Sequence, residues 1–420
     1  MARNRDSLQE IVGAGRQRPM GSAVRVVTAV AAFGLLLFPS CTTTGRSATP
    51  TVTSTRTSVT IPSPTYSPTP VATSTPTPTG NSGSPILYVA NSATQDVTVI
   101  DATSLSVITT IPVGGSPFHV AVSPNGSLAF VSVGWTSGWL SVIDTGSQAI
   151  IATVPVGSSP YFIAVTPNGS TAYVTNWQSG SVSAISISSL TVVATIPVAG
   201  NPFHLALTPN GSRLCVVNKF VNNLAILDTA TQTLVASVAL APDPHHLAVA
   251  PNGSRVVVAN AGSGYVTIID PTAGTVVSTV GISGWTEWVG ITPNGSLAYL
   301  PNSANGANVF VLDAANSVMI ATLSACSAPY EGCVAPNGSV VFLIDYPCTQ
   351  VQVVDTATQA TIATVGVGTS PYSGVLSPNG SRLFVVNFNS GSVSVMDTAS
   401  NQVVSTIAVG AMPRYAALRP

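Results

Sequence analysis

The side chains best suited to chemistry recur at one position of a repeating pattern. All four histidines, and both glutamates beyond residue 10, lie five or six residues before a Pro-Asn-Gly-Ser segment. They are His119, His204, His245, His246, Glu287 and Glu331. Imidazole and carboxylate groups bind divalent metals and act as general acids and bases, so this position is the first candidate for a functional site.

The Pro-Asn-Gly-Ser segment marks a long and regular internal repeat. It begins at residues 124, 167, 209, 251, 293, 336 and 378, so that successive copies are 42 or 43 residues apart. Between copies, short runs rich in Val and Ile are separated by Asn-Gly, Ser-Gly or Asp-Thr turns, which is typical of antiparallel strands. Four such strands in a unit of this length indicate one blade of a β-propeller.

Counting the strand types gives the number of blades. The second strand of the unit begins eight times, at residues 87, 128, 172, 214, 256, 298, 341 and 383, and the first strand also occurs eight times. The sequence therefore predicts an all-β fold, a single β-propeller of eight four-stranded blades over residues 86–420. Because the chain ends on a lone first strand, we expect this strand to join the first blade and close the ring. The alternative is seven blades with a detached unit.

The repeats carry a family resemblance. Residues 173–176 read Tyr-Val-Thr-Asn, and ILYVAN at 86–91, CVVN at 215–218 and FVVN at 384–387 are close variants. The chain resembles the YVTN-type β-propeller repeat proteins, which occur in prokaryotic surface layers and as periplasmic or secreted propellers. The resemblance covers residues 86–420 and implies the fold. It implies little about function, because propellers include lactonases, lyases, cytochrome domains and binding modules.

In a propeller, the first strand of each blade lines the central channel, so the variable residues are expected to gather at one mouth of it. A site there would bind a ligand through His119, Phe162, His204, His245, His246, Glu287, Trp288, Tyr330, Glu331, Tyr372, Arg414 and Tyr415. Aromatic walls with a few polar groups suit a small molecule. Packing that plugs the channel is an equally valid interpretation. We predict no cofactor, and the alternative is a divalent metal on His204, His246 and Glu331.

The N-terminal sequence is typical of a targeting signal followed by a disordered tether. Residues 26–40 are an apolar run that follows Arg16, Arg18 and Arg25 and ends at Cys41. We predict that residues 1–41 are a lipoprotein-like signal with Cys41 as the lipidated residue, the alternatives being a simple cleaved signal or an uncleaved anchor. Residues 42–85, which are rich in Thr, Ser and Pro, are predicted to be a disordered tether.

Charge and cysteine content narrow the interpretation further. Charged residues make up only 6% of the chain, and from residue 86 onward there are six basic and twelve acidic residues, so we do not expect nucleic acid as a partner.

We predict a disulfide between Cys326 and Cys348, with Cys215 and Cys333 buried as small apolar residues. The Asp that ends the third strand of most blades is expected to cap a turn, not to catalyse.

Together these features favour a non-enzymatic binding module. It would be secreted and tethered to the membrane through a lipid anchor, at the bacterial cell surface or in the periplasm, and would bind a small molecule, a glycan or a protein at the channel mouth. The alternative is an extracytoplasmic hydrolase or lyase that uses His204, His246 and Glu331. No catalytic motif in the sequence decides between the two.

Overall fold

The computed structural model describes residues 84–302, 308–325 and 329–419, and every structural statement below concerns these residues. They form 32 β-strands and no helix. Accordingly, the described part of the chain contains no helix with the length and apolarity needed to cross a membrane. Cys41, Cys326 and the predicted signal and tether lie outside the described residues.

The first sixteen strands build the first half of the ring. They are β1 (Ile86–Asn91), β2 (Asp96–Asp101), β3 (Ser106–Pro112), β4 (Pro117–Val122), β5 (Leu128–Val133), β6 (Gly138–Asp144), β7 (Ala149–Val156), β8 (Pro160–Val165), β9 (Thr171–Asn176), β10 (Ser181–Ser186), β11 (Thr191–Pro197), β12 (Pro202–Leu207), β13 (Arg213–Asn218), β14 (Asn223–Asp228), β15 (Thr233–Ala239) and β16 (Pro244–Val249).

The remaining sixteen strands complete it. They are β17 (Val256–Asn260), β18 (Tyr265–Asp270), β19 (Thr275–Gly281), β20 (Gly290–Ile291), β21 (Leu297–Asn302), β22 (Asn308–Asp313), β23 (Val318–Ser324), β24 (Pro329–Val334), β25 (Val340–Asp345), β26 (Gln350–Asp355), β27 (Ala360–Gly366), β28 (Pro371–Leu376), β29 (Arg382–Asn387), β30 (Ser392–Asp397), β31 (Gln402–Ala408) and β32 (Pro413–Arg419).

The strands form eight antiparallel sheets of four, which are the blades. Seven blades use four consecutive strands, and blade 1 has the order β3-β2-β1-β32, so the C-terminal strand closes the ring against the N-terminal one. The predicted eight blades and the predicted closure are therefore confirmed. We call the strands of a blade a to d from the channel outward. The a strands contact one another in sequence around the ring, from β4 to β32 and back to β4.

Burial follows the position of a strand within its blade. Strands b and c are buried almost throughout, because both faces of a blade pack on neighbouring blades. Strand d alternates exposed and half-buried residues at the outer rim. Strand a typically has two half-buried positions after a buried proline, and these half-buried residues face the channel.

A bulge at the start of strand a turns two successive side chains toward the channel. In blade 4 the register runs from the Pro202–Asn218 pair directly to the Leu205–Val216 pair, leaving Phe203 unpaired. The next residue along the strand is His204, the histidine of that blade, and it is unpaired too. An extra residue in one strand re-aims the side chains beside it. The same pairing places the start of strand a next to the b–c loop, so both belong to one face, the mouth face.

Repeated polar residues hold the turns. Asp101 accepts hydrogen bonds from the backbone N–H groups of Thr103 and Ser104, each at 2.8 Å, and this cap recurs at the end of the other c strands. In the Pro-Asn-Gly-Ser turns the glycine has a positive φ, for example +71° at Gly211. The predicted structural role of both motifs is confirmed.

Blade 6 departs from the pattern. Its a strand is only two residues long, and a single bridge joins Thr286 to Asn302 ahead of it. The other blades begin strand a with proline, whereas Thr286 stands at that place here. The ring of Trp288 lies over Gly290, where a β-carbon would overlap it. The eighth first strand that the sequence predicts is therefore present in blade 6 but shorter than in the other blades.

Candidate functional site

The predicted site residues form two stacked rings at the mouth of the channel. The upper ring consists of the second residues of seven a strands and of Glu287, which precedes the short a strand of blade 6; its members are Phe118, Tyr161, Phe203, His245, Glu287, Tyr330, Tyr372 and Arg414. The lower ring consists of the residues that follow them, which are His119, Phe162, His204, His246, Trp288, Glu331, Ser373 and Tyr415. The bulge leaves both residues unpaired in blades 1 to 4 and only the first of them in blades 5, 7 and 8, and blade 6 has no bulge.

One side of the two rings is a dense aromatic cluster. Phe118 contacts Tyr161 with ring centroids 4.3 Å apart, and Phe162 contacts Tyr415, two blades away, at 5.2 Å. His119 lies against both Phe162 at 5.0 Å and Tyr415 at 5.3 Å. Side chains from three successive blades thus meet inside the channel, as the packing interpretation expects.

Hydroxyl groups of two b strands fix this cluster. Ser132 accepts a hydrogen bond from the backbone N–H of His119 and donates one to the carbonyl of Tyr161 at 2.6 Å. Thr175 does the same for Phe162 at 3.1 Å and for the carbonyl of Phe203 at 2.9 Å. Each hydroxyl satisfies a bulged N–H and joins it to the next blade. The sequence signal for this role is the Thr of Tyr-Val-Thr-Asn, which we did not assign beforehand.

The histidines are neutral. His204 and His246 stack with ring centroids 3.8 Å apart and an interplanar angle of 30°. Burial lowers the pKa of His119 and His246 to about 3 and holds the pKa of His204 well below its usual range. Burial also lowers the pKa of His245 to about 3, although its Nδ1 lies 3.0 Å from the Glu287 carbonyl.

The opposite side of the rings is polar. Burial raises the pKa of the Glu331 carboxyl to about 8, and the only polar contact that opposes the shift is the N–H of Gly374 at 3.4 Å. The Tyr330 and Tyr372 hydroxyls lie 3.5 Å apart. Burial also raises the pKa of Glu287. A carboxyl recessed in a wall of phenol rings therefore holds its proton at neutral pH.

The candidate metal ligands are not grouped. Among the described residues, no three or more His, Cys, Asp or Glu side chains lie close enough together to hold a metal ion. His246 packs toward Trp288 at 6.1 Å, and Trp288, itself buried, lies in the blade between His246 and Glu331. Because His204, His246 and Glu331 do not form a ligand set, we propose no metal site on them.

The cysteines are placed in part. Cys215 and Cys333 are free thiols; Cys215 is buried as predicted, whereas Cys333 is half-buried and donates a hydrogen bond to the Gly374 carbonyl at 3.2 Å. The prediction that Cys333 is a buried apolar residue therefore holds only in part, because its side chain packs with Phe342 and Ile344 but is not fully covered. Cys348 is in a disulfide. Since Cys326 lies outside the described residues, its pairing with Cys348 stays a prediction.

The aromatic residues of the upper ring continue across the mouth face, where the b–c loops add three rings that the sequence analysis missed, Trp135, Trp177 and Phe220. We call Trp135, Tyr161, Trp177, Phe203 and Phe220 the aromatic arc. Neighbouring rings along it have centroids 5.3 to 6.1 Å apart. Trp135 and Phe220, in the b–c loops of blades 2 and 4, are 45% and 62% exposed. Both residues closely follow strand b of their blades, and an aromatic residue at this place in the repeat is the sequence feature that could have predicted them.

Comparisons with known proteins agree with this architecture. The model of the YNCE-like β-propeller family matches residues 211–361. The fold is similar to that of Kuenenia stuttgartiensis hydrazine synthase, with a TM-score of 0.56 and 24% identity over 67% of this chain and 96% of that one. It is also similar to dihydro-heme d1 dehydrogenase NirN in complex with DHE, with a TM-score of 0.68 and 18% identity over 79% of this chain and 74% of that one.

No curated protein matches the sequence. At this level of identity the two solved structures show a shared fold and nothing of shared chemistry. The eight closed blades identify the chain as a β-propeller, and the family match over residues 211–361 supports its resemblance to the YVTN-type repeat proteins.

Proposed function

We propose that this propeller is a binding module whose mouth face holds a small ligand with a flat apolar side, such as a sugar or an aromatic ring. The observation that carries the proposal is the aromatic arc. Trp135 and Phe220 are exposed, whereas Tyr161 and Trp177 are buried beneath the mouth face and Phe203 is half-buried. Exposed rings that are backed by packed rings beside a channel mouth mark binding sites more often than chance. Rings stack on flat ligands with little loss of conformational freedom.

The surroundings of the arc support contact with a small ligand. Two cationic side chains lie beside the arc within the described residues: Lys219, which lies 5.9 Å from the Phe203 ring centroid and pairs with Asp243 at 3.4 Å, and Arg414, which lies beside Trp135 and Tyr161. The nearby hydroxyl of Ser159 donates to the Trp135 carbonyl at 2.6 Å and so fixes that loop. A rigid aromatic surface loses little conformational entropy when it binds a ligand.

Binding of neutral probes tests the proposal. Methyl glucoside and benzamide would be titrated by ligand-observed NMR into the wild type, Trp135→Ala, Phe220→Ala and Val404→Ala, the last being a matched control at a 50% exposed residue of the outer rim. We expect each arc variant to weaken binding of at least one probe roughly two- to tenfold and the control to change nothing. Equal binding by all four proteins would refute an arc site.

An enzyme is the second candidate, and one observation favours it. Glu331, protonated at neutral pH beside Tyr330, has the state required of a general acid. The predicted partners His204 and His246 lie on the other side of Trp288, so a reaction would rely on Glu331 without a histidine dyad. Hydrolysis of simple lactones and esters, followed by pH-stat in the wild type and Glu331→Gln, would decide: activity lost in the variant supports it, and no activity in either excludes it for these substrates.

We also propose that the module is held at the outside of a bacterial membrane by a lipid on Cys41 and by the tether of residues 42–85. The apolar run before Cys41 supports this placement. Mass spectrometry of the mature N-terminus from the membrane fraction would show a diacylglycerol adduct, and Cys41→Ser would move the protein to the soluble fraction. A mature chain with an unmodified Cys41 would contradict the proposal.

A further inference from the structure

We propose that Arg414 makes the mouth site selective for a ligand that carries a carboxylate next to its flat side. The inference rests on the proposed function, because it names the charge of the ligand that the aromatic arc would hold. Its basis is the combination of an arginine that forms no ion pair within the described residues and a ring-lined notch beside that arginine.

Arg414 is held at the mouth by rings. It is the second residue of β32, and its guanidinium carbon lies 5.5 Å from the ring centroid of Phe118, 5.9 Å from that of Tyr372 and 5.3 Å from that of Phe388. Ring faces attract the cation but accept none of its five N–H donors. The arrangement therefore fixes the position of the guanidinium and leaves its donors for another group.

No carboxylate of the described residues neutralises this cation. The ion pairs formed there are Arg213 with Asp228, Lys219 with Asp243 and Arg255 with Asp270. Within the same residues the Arg414 guanidinium makes ring contacts and neither an ion pair nor a hydrogen bond. The only acidic side chains of the two rings are glutamates with raised pKa values, Glu287 and Glu331. The Arg414 cation therefore stands at the mouth without an ion pair among the described residues, in a propeller whose sequence from residue 86 onward is acidic.

A small notch lies where the guanidinium meets the aromatic arc. It is lined by Arg414, Phe118, Trp135 and Tyr161, with Ser116 at its edge, and its volume is about 10 Å³. This is close to the space of one water molecule, and one carboxylate oxygen has a similar size. The rest of a ligand would lie outside the notch against Trp135, which is the exposed ring of this wall.

A carboxylate matches these features better than a neutral oxygen. Guanidinium and carboxylate form two parallel charge-assisted hydrogen bonds, which are about twice as strong as neutral ones. The ring contacts restrict Arg414 beforehand, so less side-chain entropy is lost when the pair forms. The flat face and the carboxylate can belong to a uronic acid or to an aromatic acid, which share this chemistry.

Matched probes test the inference. Glucuronate and benzoate would be titrated against methyl glucoside and benzamide, their neutral counterparts, by ligand-observed NMR at low and high salt. We expect at least one acid to bind the wild type about ten- to a hundredfold more tightly than its neutral counterpart, with the preference reduced by salt. Which acid is preferred identifies the sugar or the aromatic source.

Variants of β32 then assign the preference. Arg414→Gln should abolish it, Arg414→Lys should keep part of it, and Arg419→Gln, a control at the other end of the same strand where Arg419 donates to the Thr145 carbonyl, should leave it intact. Thermal melting monitored by circular dichroism would confirm that each variant folds.

The outcomes separate the two proposals. An unchanged preference in Arg414→Gln, or equal binding of acid and neutral probe by the wild type, would overturn the role of Arg414. If neutral probes still lose affinity in Trp135→Ala, the binding function stands without it. If no probe binds the wild type, both proposals fail.

Discussion

Glu331 shows how far the state of a residue can differ from what its type suggests. Sequence position correctly places it at the channel mouth with the histidines, but its protonation depends on the phenol rings and the Trp288 side chain packed around the channel. Those neighbours come from other blades, up to two repeats away in the chain. The protonation state of a single residue such as Glu331 could therefore not be predicted from the sequence, because desolvation depends on the assembled ring.

Glu331 should make the free energy of unfolding decrease as the pH rises from about 4.5 to about 8. Its folded pKa of about 8 lies above the ordinary value of 4.5, so its contribution is fully present below pH 4.5 and is lost as the pH rises toward 8. With roughly 1.4 kcal/mol per pKa unit, the loss amounts to a few kcal/mol. Denaturant unfolding of the wild type and Glu331→Gln would be measured between about pH 5 and about pH 9, which covers the interval of this shift. The free energy of unfolding should depend less on pH in the variant than in the wild type. Parallel profiles would contradict the shift.

His119 should behave as a packing residue. Its Nδ1 is buried without a hydrogen-bond partner, and its ring lies between Phe162 and Tyr415. A phenyl ring removes that unsatisfied atom, which costs about 1 to 3 kcal/mol when buried. We expect His119→Phe to melt at the same or a higher temperature at neutral pH.

The advantage should grow in acid. The folded pKa of about 3 lies below the ordinary 6.5, so the wild-type contribution is lost as the pH falls through this interval. A large loss of stability in His119→Phe would instead show that the imidazole makes a bond that holds the ring together.

At the scale of elements, the strands and turns can be predicted from the sequence, but the bulges cannot. The alternation of Val and Ile runs with Asn-Gly and Asp turns predicted the blades with their order and number. The bulge in strand a depends on the hydroxyls of Ser132 and Thr175 in the neighbouring strand and on the next blade. Blade 6 could have been flagged from Thr286 alone, since it replaces a proline that the other blades share.

Two nearby glycines, Gly366 at the end of β27 and Gly368 in the d–a connection that follows, give a prediction at this scale. A β-carbon on Gly368 would lie 2.6 Å from the Asn387 side-chain carbonyl carbon, whereas one on Gly366 would meet nothing within 4 Å. Asn387 is fully buried and bonds Ser394 at 3.0 Å, so it has little freedom to move. We expect Gly368→Ala to lower the free energy of unfolding by about 1 to 3 kcal/mol and Gly366→Ala to be neutral or slightly stabilising. Similar values for both in urea unfolding would contradict this packing.

At the scale of the molecule, one strand pair makes the ring. β1 pairs with β32 from Ile86–Arg419 to Asn91–Pro413, and among the described strands no other sheet joins the first and the last of them. This closure was predictable, because the repeat begins and ends out of phase. The aromatic arc was not predicted, since its members are separated by whole repeats and meet only when the blades are arranged around the channel.

Removal of the closing strand should destabilise the whole ring. A chain that ends at residue 412 leaves the edge of β1 unpaired and blade 1 with three strands, so we expect a much lower melting temperature and aggregation in sedimentation experiments. A chain that ends at Arg419 keeps the pairing and should match the wild type. Normal melting of the shorter chain would show that the ring does not depend on this closure.

The central claim is that ligands bind at the aromatic arc, and the five tryptophans allow the most direct test of it. In protein labelled with 5-fluorotryptophan, each ring gives one ¹⁹F resonance, assigned with single Trp→Phe variants. During titration with methyl glucoside and benzamide, we predict saturable shifts at the exposed Trp135 and at Trp177, which lies within the arc, and none at Trp288, which lies outside the arc and is as buried as Trp177, each being 8% exposed. Unshifted Trp135 and Trp177 resonances, or shifts confined to tryptophans outside the arc, would contradict the account.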